Sequence, residues 1–170
     1  MASVFAANRV SMTITIRPAS PADVPLIAAL IRELAEYEKL ANEVRCTEDM
    51  LEAYLFGMHP MAEVVIGEAS GTAQGFALFF HNFSTFEGRP GIYLEDLFVR
   101  TEARGVGLGK ALLSHLAGIA IERGCARFEW SVLDWNEPAI GFYRKLGARP
   151  LDAWTGMRVD GEALKALAEG

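Results

Sequence analysis

The segment YLEDLFVRTEARGVGLGKALL, Tyr93 to Leu113, constrains this chain more than any other. Its first half is apolar and β-prone apart from two adjacent acids, Glu95 and Asp96. Its second half opens a helix through Gly105, Gly107 and Gly109, flanked by Arg104 and Lys110. A strand that ends in a glycine loop and re-enters as a helix exposes free backbone N–H groups at the positive end of the helix dipole, a cradle for anionic oxygens. Glycine lets the main chain approach such a ligand closely and adopt positive φ.

Two phosphate motifs fail on inspection. A P-loop requires G-x-x-x-x-G-K-[ST]. Counting back from Gly109–Lys110 places Arg104 at the first glycine and Ala111 at the hydroxyl. A dinucleotide fingerprint requires G-x-G-x-x-G with an acid about twenty residues on. The glycines here alternate, and Trp130 and Ser131 stand where that acid belongs.

The rest of the chain supplies elements around this loop. TITIRPA predicts a short first strand ending near Arg17. A helix follows, with Ser20 as cap, Pro21 in the first turn, Asp23 at the positive end and Val24, Ile27, Leu30, Ile31 and Leu34 on its inner face. Thr47 opens a second, shorter helix ending near Gly57. AEVVIGEA, AQGFALFFHNF and GIYLEDLFVR predict an antiparallel meander turning at Gly71 and Gly88. A helix over about 107–123 buries Leu112, Leu113, Leu116, Ile119 and Ala120. ARFEWSVL is a further strand, and Asn136 caps a short helix with Pro138 in its first turn and Gly147 as its stop. A weak final strand and a helix near 161–168 complete the order. The fold class is α/β (α+β): a mixed, mostly antiparallel twisted sheet flanked by helices, with one parallel crossover after the glycine loop. Residues 1–12 read as an extension, with Met12 an alternative start, and 13–170 as a single domain.

Charge and cysteine content narrow the partners. With 22 acidic against 16 basic residues the net charge is −6, which disfavours a nucleic-acid partner and suits a small cationic substrate. No apolar run approaches the ~20 residues of a membrane span. Cys46 and Cys125 are far apart and read as buried thiols in a reducing cytoplasm. His59, His81 and His115 have no partner at metal spacing, so no metal site is expected.

R-x-x-G-x-G at Arg104–Gly109, following YLEDLFV, resembles the coenzyme A pyrophosphate loop of the GCN5-related N-acetyltransferase (GNAT) superfamily. IRPAS, IRELAEYEKL, RGVGLGKALL and WNEPAIGFYRKLGA extend the likeness to its spermidine/spermine (diamine) and thialysine branch, over about Ile14 to Arg158. The resemblance implies an acetyl-CoA-dependent N-acetyltransferase acting on a small primary amine in a ternary complex, without a covalent acetyl-enzyme. Backbone groups of Leu97, Phe98 and Val99 would hold the pantetheine arm and polarise the thioester. Arg104, Gly105, Val106, Gly107, Leu108, Gly109 and Lys110 would hold the pyrophosphate, with Asn136 and Pro138 as further contacts. Tyr143 matches the general acid and Glu95 the substrate-side carboxylate. Tyr37, Glu38, Glu129, Trp130 and Ser131 match other amine-side positions. A homodimer is the family's expectation.

Strand alternation puts the side chains of Glu95 and Asp96 on opposite faces, so the two acids are not expected to form one dyad. Against the polyamine enzymes, Ser84 replaces an acid, a second acid falls at Trp154 or Thr155, and Met157 replaces a tryptophan. Fewer carboxylates favour an acceptor with one side-chain ammonium. A non-catalytic acyl-CoA-binding module and acetylation of protein amino groups remain the alternatives.

Overall fold

A computed structural model describes residues 12–170, so the expected N-terminal extension falls almost wholly outside the described residues. The chain divides into two compact units, one running to Ser131 and one from Val132 to Gly170.

The first unit carries a five-stranded sheet in the order β1-β2-β3-β4-β5. Its strands are β1 (Ile14–Pro18), β2 (Glu63–Ala69), β3 (Thr72–Ser84), β4 (Arg89–Val99) and β5 (Phe128–Trp130). β1 through β4 pair antiparallel, and β5 joins β4 in parallel. The parallel step follows from the intervening helix α3 (Leu108–Glu122), which carries the chain back across the sheet.

α1 (Val24–Tyr37) follows a single turn at Pro21–Asp23. The Asp23 carboxylate holds the entry by accepting from both the backbone N–H and the hydroxyl of Ser20. Arg17 of β1 grips the same carboxylate through two guanidinium nitrogens at 2.8 and 2.9 Å and donates to Glu68 of β2, so strand and helix start are tied together. α2 (Glu48–Leu51) begins with the Thr47 hydroxyl accepting from the Met50 N–H, then widens into a π-turn over Glu52–Phe56.

One core lies on the α1 and α2 side, where Ile27, Leu30 and Leu34 pack with Leu51, Leu55, Val64, Ile66, Phe76 and Phe98. Ile31, expected inside, is only half-buried, and Ala28 is buried. α3 covers the other face, burying Leu108, Leu112, Leu113, Leu116 and Ala120, with Ile119 half-buried. Gly67 of β2 admits this packing, since a Cβ there would lie 3.0 Å from Leu108 Cδ1.

The second unit contains α4 (Glu137–Lys145) and α5 (Gly161–Glu169). The expected strand between them does not form. Pro150 lacks an N–H donor, and the Trp154 N–H turns back to the Leu151 carbonyl, so the segment joins no strand ladder among the described residues. β5 is also shorter than expected, three residues within ARFEWSVL. Both cysteines are half-buried rather than sequestered, and burial pushes the Cys46 thiol up from its ordinary value.

Candidate active site

The site is built where β4 parts from its neighbour. Pairing with β5 covers Ile92, Tyr93 and Leu94 and stops there. The same point carries a β-bulge: Phe79 of β3 stands opposite Leu94 and Leu78 opposite Asp96, so Glu95 is the extra residue. Leu78 packs with the α1-side core. Phe79 faces the other side, beneath the guanidinium of Arg123 at the end of α3. Leu94 therefore faces α3 and Asp96 faces α1.

This corrects the expectation that Glu95 and Asp96 point to opposite faces. Unbroken alternation would separate them, but the bulge inserts one residue and turns both toward α1. Their fields meet. Asp96 is pushed up to about 6, first by burial and then by the negative charges of Glu95 and Glu38. Burial raises Glu38 itself from its ordinary value. Glu38 is the residue at which α1 ends, next to Tyr37. Three acids from two distant segments thus share one region, and Asp96 is the member that sequence reasoning left without a role. Its signal was present, since a strand acid amid apolar residues needs an explanation, but the bulge that directs it was not readable.

The open edge of β4 presents backbone groups. The Arg100 N–H donates to the Gln74 carbonyl of the β3 side. By ladder alternation the Phe98 N–H also faces β3, whereas those of Leu97 and Val99 face the side that β5 has left. The base of the following loop is clamped by Arg100, which grips Glu33 of α1 through two bonds of 2.7 and 2.8 Å and also donates to the Ala73 carbonyl. The hydrogen bonds from Arg100 lower the Glu33 carboxyl from its ordinary value.

Beyond the clamp, Gly105 and Gly107 take φ of +79° and +98°, and Gly107 caps α3 with no side-chain acceptor at that end. The first N–H satisfied inside the helix there is that of Ala111, bonded to the Gly107 carbonyl. A Cβ at Gly105 would meet nothing within 4 Å. Accessible backbone, left-handed glycines and an uncapped 15-residue helix fit an anionic ligand such as a pyrophosphate. Val106 and Lys110 are exposed, and Leu108 is buried beneath the helix start, so only its backbone is available.

The remaining amine-side residues of the first unit lie on or just after β5. The Ser131 hydroxyl is 2.7 Å from the Tyr93 hydroxyl, and the Tyr93 ring rests on Phe80 with centroids 5.3 Å apart. Tyr93 was not singled out in the sequence. Trp130 packs against Phe128 at 5.0 Å. Glu129 is already engaged, paired with Arg127 at 2.8 Å and accepting from Asn82 at 3.0 Å. Ser84 is buried and accepts the Glu87 N–H in the β3–β4 turn.

In the second unit the Asn136 side chain accepts the Ala139 N–H at 3.3 Å, the capping role its type suggests. Pro138 follows in the first turn of α4. Tyr143 lies on the last turns of α4, its ring 5.4 Å from that of Phe142. Among the described residues no group of three His, Cys, Asp or Glu is arranged to hold a metal ion, and no helix is long and apolar enough to cross a membrane.

Residues 27–148 match the Acetyltransferase (GNAT) family. The chain is 40% identical to a thialysine N-epsilon-acetyltransferase of Sus scrofa, over 92% of this chain and 98% of that one. It is 32% identical to an L-ornithine N5-acetyltransferase of Arabidopsis thaliana, over 89% and 86%. Among solved structures, an integron cassette protein from the mobile metagenome of V. cholerae superposes with a TM-score of 0.77 at 29% identity, covering 94% of this chain and 99% of that one. A ribosomal-protein-alanine N-acetyltransferase from Brucella melitensis shares the fold, with a TM-score of 0.71 at 21% identity, covering 88% and 99%. Strand, bulge, open edge and glycine-capped helix are thus the frame of an acetyltransferase, and the chain belongs to the GNAT family.

Proposed function

We propose that this acetyltransferase moves the acetyl group of acetyl-CoA to the side-chain amine of a small cationic amino acid of the thialysine or ornithine kind, by direct attack in a ternary complex. The observation that carries this reading is the bulge at Glu95, which turns Glu95 and Asp96 to the α1 side near Glu38. Such a field attracts an ammonium group, and a carboxylate within it can take up the proton the amine must lose before it attacks.

Acetyl-CoA, when bound, supplies the thioester and a thiolate leaving group. The backbone amides from Arg104 to Lys110 would hold its pyrophosphate, with Asn136 and Pro138 as further contacts. The N–H groups of Leu97 and Val99 face the open edge, where preorganised donors can stabilise negative charge developing on a carbonyl oxygen. Glu95 receives the amine proton directly or through water. Tyr143 would give a proton, or a strong hydrogen bond, to the departing sulfur.

The acceptor class rests on two supports. The relatives in pig and Arabidopsis are named for thialysine and L-ornithine, each a compact amino acid. Ser84 spends its hydroxyl on the Glu87 N–H, so no carboxylate stands at that turn position for a second ammonium.

Thiol release from acetyl-CoA should be followed with thialysine, lysine, ornithine, spermidine, spermine and a basic peptide. The reading expects the highest kcat/KM with the small amino acids. Tight acetyl-CoA binding with no turnover on any amine would make the chain a non-catalytic binding module. Turnover confined to the peptide would make it a protein acetyltransferase.

A further inference from the structure

We propose that Arg104 serves the amine end of the site as a positioning residue, acting through Tyr37; this rests on the amine-side reading of Tyr37 given above. In the loop motif Arg104 reads as added charge for a phosphate. In the fold its guanidinium is engaged elsewhere. Its Nε–H donates to the Val99 carbonyl at 2.9 Å, at the open edge of β4. Its Cζ lies 4.5 Å from the centroid of the Tyr37 ring and 5.9 Å from that of Phe98.

Arg104 and Tyr37 line one cleft of about 380 Å³ together with Glu36, Phe98, Arg100 and Glu102. Tyr37 is the last residue of α1, immediately before the Glu38 cap, and Lys39 then turns the chain through a left-handed φ of +62°. The Arg104 guanidinium lying over this ring limits how Tyr37 can stand. The same guanidinium is fixed to β4 through Val99, and Glu38 on one side and Asp96 on the other belong to the same two elements. Arg104 therefore sets how the end of α1 stands against the acid-bearing strand. A planar, delocalised cation suits this role and an ammonium does not, because only the guanidinium stacks on a ring face while donating sideways from Nε.

The test is a kinetic cycle on the full-length enzyme with thialysine as acceptor, at saturating acetyl-CoA. Arg104→Ala should raise the thialysine KM about twofold to fivefold, the scale of losing an exposed cation–ring contact, with a smaller change in kcat. That increase should persist in a Tyr37→Phe background, where the ring remains, and disappear in a Tyr37→Ala background. Arg104→Lys should restore little of it. A thialysine KM unmoved by Arg104→Ala, with the effect confined to the KM for acetyl-CoA, would overturn the proposal, as would additive effects of Arg104→Ala and Tyr37→Ala. Wild-type enzyme that turns over no amine would instead remove the functional reading beneath it.

Discussion

Leu94 and Asp96 stand two residues apart on one strand and face opposite sides of the sheet. Unbroken β structure forbids this, because residues i and i+2 share a face. Glu95, the residue between them, is the bulge that reverses the pattern, and it does so where β5 leaves β4. One irregularity thereby opens the backbone edge and turns two carboxylates toward α1.

Asp96 makes stability fall as pH rises through mild acidity. Its folded value, about 6, lies above that of an unfolded aspartate. The folded state therefore binds the proton more tightly. Its favourable contribution is complete below about pH 4 and is lost as pH climbs to about 6. Asp96→Asn should leave stability near pH 4 unchanged and increase it at pH 8 by roughly 1–3 kcal/mol. Urea unfolding of both proteins at a series of pH values measures the difference, and an Asn variant less stable at pH 8 would contradict it.

Asp23 works with the opposite sign. Hydrogen bonds from Arg17, together with those from Ser20, hold its carboxyl far below the usual carboxylate range. Its contribution is present above the unfolded value and fades only as pH falls below about 4. Asp23→Ala removes the helix cap and the bidentate partner of Arg17 together, and should cost about 1–2 kcal/mol at neutral pH. The gap to wild type should narrow in denaturation curves taken toward pH 2.

Gly107→Ala tests the loop. A φ of +98° is unfavourable for any residue with a Cβ. The added methyl meets little, since Ile14 Cδ1 at 3.9 Å is its nearest neighbour, so the penalty is conformational rather than steric. The variant should lose about 1 kcal/mol in thermal or chemical unfolding. If the loop amides hold the pyrophosphate, the KM for acetyl-CoA should rise while the KM for the amine changes less.

Tyr143→Phe removes one hydroxyl from α4. If Tyr143 supplies the proton to the leaving sulfur, kcat should fall about 10²–10⁴-fold with little change in either KM. Steady-state thiol release measures this directly. Turnover at the wild-type rate would take Tyr143 out of the chemistry and leave it as the ring that packs beside Phe142.

Much of this protein was legible as a string of residues. Apolar spacing announced α1 and α3, Ser20, Thr47 and Asn136 announced helix starts, and Gly71 and Gly88 announced the hairpin turns. These succeed because helix caps and tight turns depend on a few neighbouring residues and their backbone angles. The strand expected after α4 failed because strand formation needs a distant partner, which residues 146–160 do not find as a ladder. The carboxylate of Glu129 is bonded by Arg127 and by Asn82, and the second partner comes from a strand far away in sequence that spacing does not name.

The sequence by itself determined the glycine loop, the helix that follows it and the order of elements that marks the family, because those depend on local backbone geometry. Only the tertiary structure decided where the acids point and what Arg104 touches. A bulge shifts pairing by one residue relative to a neighbouring strand, and a guanidinium chooses among rings and carbonyls that folding brings together. Neither choice is encoded in spacing along a single segment.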